Sequence, residues 1–154
     1  MTAPRLVVLV LLLLSGCTAT TTTTPEAQPC GSEVRTGPLP AWARTGFSGD
    51  GAGVPHVLGR HGDIVGVLFG GTLSSPPAPD RSNKILWVSR LPVAAGGSLE
   101  ITARLDATTE TVTRTVLGGP GPSGVDLPRP GCWRLTLAWS GHTETMDLTY
   151  QAGR

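Results

Sequence analysis

Acid–base or metal chemistry would start from the histidines, and this chain has three: His56, His61 and His142. His56 and His61 stand five apart in a glycine-rich stretch, with Asp63 close by. Two imidazoles and a carboxylate are a sensible donor set for a divalent ion. The stretch reads as loop, however, so the pair does not share a helix face, and no fourth ligand accompanies them. They are read as solvated loop histidines, and no metal or cofactor is expected. Ser48 fails the Gly-x-Ser-x-Gly spacing of a nucleophile elbow, because position 50 is Asp and the next glycines fall at 49 and 51. The glycine-rich run 46–53 lacks the Gly-Lys-(Ser/Thr) ending with which a P-loop cradles phosphates. Asp50, Asp63, Asp80, Asp106, Asp126 and Asp147 are scattered, without the spacing of a calcium loop. No catalytic set comes together, so the chain is not read as an enzyme. Of its four tryptophans, Trp87, Trp133 and Trp139 fall on alternating strand positions and are assigned to the core. Trp42 is less constrained and stays a candidate ligand contact.

The thiols are more informative. Cys17 follows a short basic start, with Arg5, and nine consecutive apolar residues, Leu6 to Leu14. A helix of that length rises about 14 Å at roughly 1.5 Å per residue, against a bilayer core of about 30 Å. The run therefore suits the apolar region of a secretion signal, not a membrane span. Its end, Leu14-Ser15-Gly16-Cys17, resembles the lipobox of bacterial lipoproteins at all four positions. The resemblance implies that residues 1–16 are a cleaved signal peptide. It also implies that the Cys17 thiol takes a diacylglycerol and becomes the new N-terminus. Each buried CH₂ contributes about 0.8 kcal/mol, and two chains anchor stably where one is marginal. The expected location is the extracytoplasmic face of the cell membrane, with the membrane itself as a partner through the lipid.

Residues 17–29 continue as a Thr/Pro-rich tract without core-forming side chains, read as a disordered linker. The domain is placed at 30–154. Without Arg5 the chain keeps 11 basic against 11 acidic residues, and Lys84 is its only lysine. A nucleic-acid partner needs clustered Lys and Arg, so none is expected.

Residues 31–62 are dense in Gly and Pro and read as an irregular arm with a short strand or helical turn, packed by Trp42. From Ile64 onward the pattern is β. Ile64 to Phe69 is a short apolar run, Ser74 to Asp80 a Pro-rich loop, and residues 84–88 a central strand apolar on both faces. Leu99, Ile101, Ala103 and Leu105 alternate with polar residues, Glu110 to Leu117 does so less cleanly, and 118–124 reads as a Gly/Pro loop before an edge segment at Val125 and Leu127. Trp133 to Trp139 and Thr145 to Tyr150 form a hairpin about Ser140-Gly141, a dipeptide suited to a primed turn. The fold class expected is all-β, an antiparallel β-sandwich of Ig-like architecture. Segments 83–88, 131–137 and 147–150 are also similar to those of small uncharacterised lipoproteins from high-GC Gram-positive bacteria, a resemblance that carries over no catalytic residue.

Three functions fit: a displayed sandwich that engages an envelope protein or glycan, a carbohydrate- or small-ligand-binding lipoprotein, and, least supported, a hydrolase. With Cys17 lipidated and the chain exported to an oxidising compartment, Cys30 and Cys132 remain as a disulfide pair; the alternative is two free thiols or a metal site, and a zinc site needs more Cys and His at suitable spacing than the chain offers. The bridge would close a loop of roughly 100 residues, for which chain entropy assigns roughly 4.7 kcal/mol. Reduction should therefore lower the melting temperature, and an unchanged melt in reductant counts against the Cys30–Cys132 pairing.

Overall fold

The computed structural model describes residues 31–153. The expected signal peptide 1–16, Cys17, the linker 17–29 and Cys30 lie outside the described residues. The rest is a sandwich of two sheets. One runs in the order β1 (His56–Leu58), β2 (Ile64–Leu68), β4 (Lys84–Ser89), β7 (Pro122–Gly124). The other runs β3 (Leu73–Ser75), β9 (His142–Ala152), β8 (Gly131–Trp139), β5 (Ser98–Leu105), β6 (Thr111–Leu117). All pairings are antiparallel except β3 with β9.

Period-two alternation drives β5, β8 and β9, whose inward residues Leu99, Ile101, Trp133, Leu135, Leu137, Met146 and Leu148 are buried between the sheets. The strands β2 and β4 are apolar on both faces because both faces are covered. Ile85 and Trp87 enter the main core, whereas Leu86 and Val88 meet a second cluster outside the sheet. That cluster is closed by the arm, which supplies Leu39, Trp42, Ala43 and Phe47 around one 3-10 turn at Ala41–Ala43. The hairpin between β8 and β9 turns at Ser140 and Gly141, with φ of 47° and 81°. Two positive φ angles in sequence make the primed turn that matches strand twist.

Three local expectations are corrected. The 118–124 stretch is not all loop: Pro122–Gly124 forms β7, a three-residue edge strand that a proline tolerates because an edge need not donate. Val125 and Leu127 are not strand but are fully inside the main core. The expected loop at 74–80 gives up its first two residues to β3. Three-residue strands carry too little alternation to show in sequence; here the neighbouring strand decides.

The outward face of the larger sheet is solvated and built on threonine. Registers align Thr113, Thr102, Thr136 and Thr145 in one row across β6, β5, β8 and β9. In the core, three of the four large polar-tipped aromatic side chains bury their polar ends in bonds, and Trp139 Nε1 has no hydrogen-bond partner among the described residues. Trp87 Nε1 donates to Ser123 Oγ at 3.0 Å, Trp133 Nε1 to Arg129 O at 3.0 Å, and Tyr150 Oη to Val125 O at 2.6 Å. Trp139 is buried against the His142 ring.

Burial, followed by the nearby Asp126 charge, pushes the Tyr150 hydroxyl well above the ordinary tyrosine range. A group raised in the folded state holds its proton there and releases it on unfolding. Its contribution is present below the unfolded value of about 10 and fades as pH rises beyond it. Tyr150 is the chain's only tyrosine. Tyrosinate absorbance should therefore appear only together with loss of the tertiary circular dichroism signal, at a pH well above 10. Ionisation near the ordinary value with the fold intact would contradict this burial.

Candidate functional site

The sharpest polar feature sits where the two sheets meet. Period two turns Glu144 inward with Met146, Leu148 and Tyr150, and its side chain is fully buried. A lone carboxylate there would be costly, but the β1–β2 turn supplies donors. His61 N donates to Glu144 Oε2 at 2.8 Å and His61 Nδ1 to Oε1 at 3.0 Å. Thr145 N donates to Oε1 at 2.8 Å, and Asp63 N approaches Oε2 at 3.4 Å. A carboxylate only accepts, so Nδ1 carries the imidazole proton and Nε2 is the nitrogen left for a ligand. Gly59 lies against this carboxylate so closely that a Cβ on it would overlap Glu144 Cγ and Cδ. Asp63 is held from the other side by Arg90.

Beside this clasp runs a groove of about 880 Å³. Its walls come from three places: the arm at Gly31–Glu33 and Arg35, the turn at Gly59–Gly62, and β9 at Thr145–Asp147, with Arg134 from β8. The arm is fixed to β9 by Gly31 N donating to Asp147 Oδ2 at 3.3 Å and Asp147 N donating to Ser32 Oγ at 2.8 Å. Arg60 N donates to Thr145 O at 2.9 Å. Arg134 pairs with Asp147 at 3.0 Å, and that carboxylate holds the guanidinium charged above its already high range.

These bonds also settle the strand edge. The outward groups Thr145 N, Thr145 O and Asp147 N are all occupied, so β9 offers no template here for another strand. The opposite edge, β6, is managed differently. The bond from Leu105 N to Glu110 O fixes the alternation, which leaves Thr111, Thr113, Thr115 and Leu117 with outward backbone groups. Arg114 shares the inward side with Val112 and Val116, and reaches Thr113 O at 3.0 Å and Asp126 O at 3.1 Å. An inward-pointing charge on an edge strand obstructs strand addition.

The sequence-derived candidates are not gathered at one place. His56 is buried, its Nδ1 donating to Val54 O at 2.9 Å, whereas His61 is mostly exposed at the groove. The two do not converge on a metal, and among the described residues no group of three His, Cys, Asp or Glu is placed to hold one. Trp42 is half-buried in the second cluster, away from the groove lining. Cys132, at the start of β8, is half-buried and engaged. Sequence reasoning missed Glu144 altogether, although an acidic residue in the inward register of β9 was a readable signal. No family model, curated protein or solved structure matches the chain.

Removing the Glu144 carboxylate strands buried amide donors on the turn, so Glu144→Ala should destabilise by about 3 kcal/mol. Gly59→Ala should cost about 2 kcal/mol by overpacking. The two must couple: chemical denaturation should show Gly59→Ala costing far less in the Glu144→Ala background, and simple additivity would refute the clasp.

Proposed function

We propose that this chain is a membrane-tethered lipoprotein whose β-sandwich is a non-catalytic binding module for envelope components, with the β9 groove as its ligand site. The observation that carries the reading is the groove itself, a polar hollow assembled from the arm, the β1–β2 turn and β9. Its volume lies in the range of small-ligand sites, roughly 300–1,000 Å³. That favours a carbohydrate or other polar small ligand over recruitment of a partner strand, since both long edges of the larger sheet are obstructed.

The tether rests on the lipobox resemblance at Leu14-Ser15-Gly16-Cys17 and the apolar run before it. Among the described residues no helix is long and apolar enough to cross a membrane. Gly31, on the groove rim, follows Cys17 by fourteen residues. Even fully extended, that stretch reaches only about 50 Å, so a ligand in the groove would be held near the leaflet. The Cys30–Cys132 disulfide belongs to the same proposal. Gly31 is bonded to Asp147, whose partner Arg134 lies two residues beyond Cys132 on the same face of β8. Gly31, which follows Cys30 in sequence, is thus tied to the end of β8 that carries Cys132, and this supports the pairing.

A binding role also suits the chemistry of the clasp. Both Glu144 oxygens are committed to backbone donors, and among the described residues no hydroxyl or thiol is hydrogen-bonded to His61. The pair orients a ring without activating a nucleophile.

A photoreactive residue placed at Glu33 in the groove, with Thr113 on the outward face of β6 as control, tests the reading in intact cells. Capture of a defined envelope component at 33 and not at 113, lost when Cys17→Ser releases the protein from the membrane, is the expected result. Equal capture at both positions would overturn the groove. A Cys17→Ser form that stays processed and membrane-bound would overturn the tether.

A further inference from the structure

Resting on the groove as the ligand site, we infer that it recognises a single oxyanion, a phosphate or carboxylate carried on its ligand, with Arg60 and His61 as the recognising pair. The argument is a matching of charges. Glu33 is paired with Arg35 at 3.1 Å, Asp147 with Arg134 at 3.0 Å, and the buried Glu144 with His61 at 3.0 Å. Every carboxylate on or under the groove thus has a cation or imidazole of its own. Arg60, exposed on the groove wall, is in no ion pair among the described residues. Its backbone is fixed by the bond to Thr145 O, so the guanidinium projects from a rigid point.

Next to it, His61 is held in one orientation at two atoms by Glu144, with its imidazole still largely exposed. With Nδ1 committed to Glu144, Nε2 is the ring nitrogen that faces a ligand, and in the imidazolium form it is a second donor beside Arg60. A neutral sugar would use neither charge well, and the groove lining holds no tryptophan, tyrosine or phenylalanine on which a sugar ring could stack. The same chemistry is met by a free acidic or phosphorylated saccharide and by a phospholipid headgroup, the latter brought close by the tether.

Calorimetric titration of the full-length protein in neutral-detergent micelles, with inorganic phosphate, glucuronate and methyl glucoside, tests the inference. The Cys17→Ser form mixed with phosphatidylglycerol or phosphatidylcholine vesicles tests the headgroup source. Arg60→Gln keeps the backbone bond and removes the charge; it should weaken anion binding about tenfold, the loss of one charge-assisted hydrogen bond. Arg60→Lys should restore part of it. Arg60-dependent binding of free anions identifies a soluble ligand, and Arg60-dependent retention on phosphatidylglycerol alone identifies a headgroup; either supports the inference. Anion binding that Arg60→Gln leaves unchanged overturns it. Binding of methyl glucoside without either anion overturns the oxyanion assignment while leaving the groove as a binding site. The absence of any binding or retention overturns both.

Discussion

Glu144 is the residue on which the two sheets depend for their alignment at this edge. Burying a carboxylate between sheets is unfavourable unless its oxygens are met by donors. Here the donors belong to the opposite sheet's β1–β2 turn, chiefly the amide and imidazole of His61, with the Thr145 amide of β9 itself completing the set. Apolar packing alone would let the sheets slide, because hydrophobic contact is non-directional. A carboxylate that must find particular amides allows one position only. Gly59 follows from the same constraint, since only a residue without Cβ lets the turn come close enough to close the clasp.

The clasp has consequences along the rest of β9. With the turn seated at Thr145 and the arm at Asp147, the space between them is held open as a groove without a strand to fill it. The edge bonds that keep other strands away are therefore the same bonds that shape the hollow. The opposite edge needs a separate device because no arm covers it. Arg114 supplies it by turning a charge into the open side of the sandwich and bonding the edge carbonyl of Thr113. A five-stranded sheet left open at both edges would otherwise risk edge-to-edge pairing.

Much of the sandwich was legible because period two is a strong signal where one face is wet. Leu99 to Leu105 and Trp133 to Trp139 announced β5 and β8, and the apolar run at 84–88 announced a strand covered on both faces. Three tryptophans could be assigned to the core from their register alone, and all three are buried. Trp42 was legible as the arm's packing residue but not as half-buried, since that depends on how the arm lies over β2 and β4. The short strands β3 and β7 were not legible: three residues cannot show a period, and their pairing is imposed by β9 and β4. The site was the least legible part. His61 and Glu144 are 83 residues apart and bond only because the fold brings turn and strand together.

Glu144 also shows what kind of anomaly carries functional information in such a chain. Read along β9, the inward register runs His142, Glu144, Met146, Leu148, Tyr150, and Glu144 is the one fully buried carboxylate in it. A purely structural pin could have used an amide or hydroxyl and avoided burying a charge. A carboxylate accepts at both oxygens at once, so it takes the His61 and Thr145 amides and holds the His61 proton on Nδ1 in the same clasp. The same side chain that aligns the sheets thereby prepares one exposed imidazole at the mouth of a groove. On the proposed reading of the groove as a ligand site, stability and recognition meet at this single buried oxygen pair.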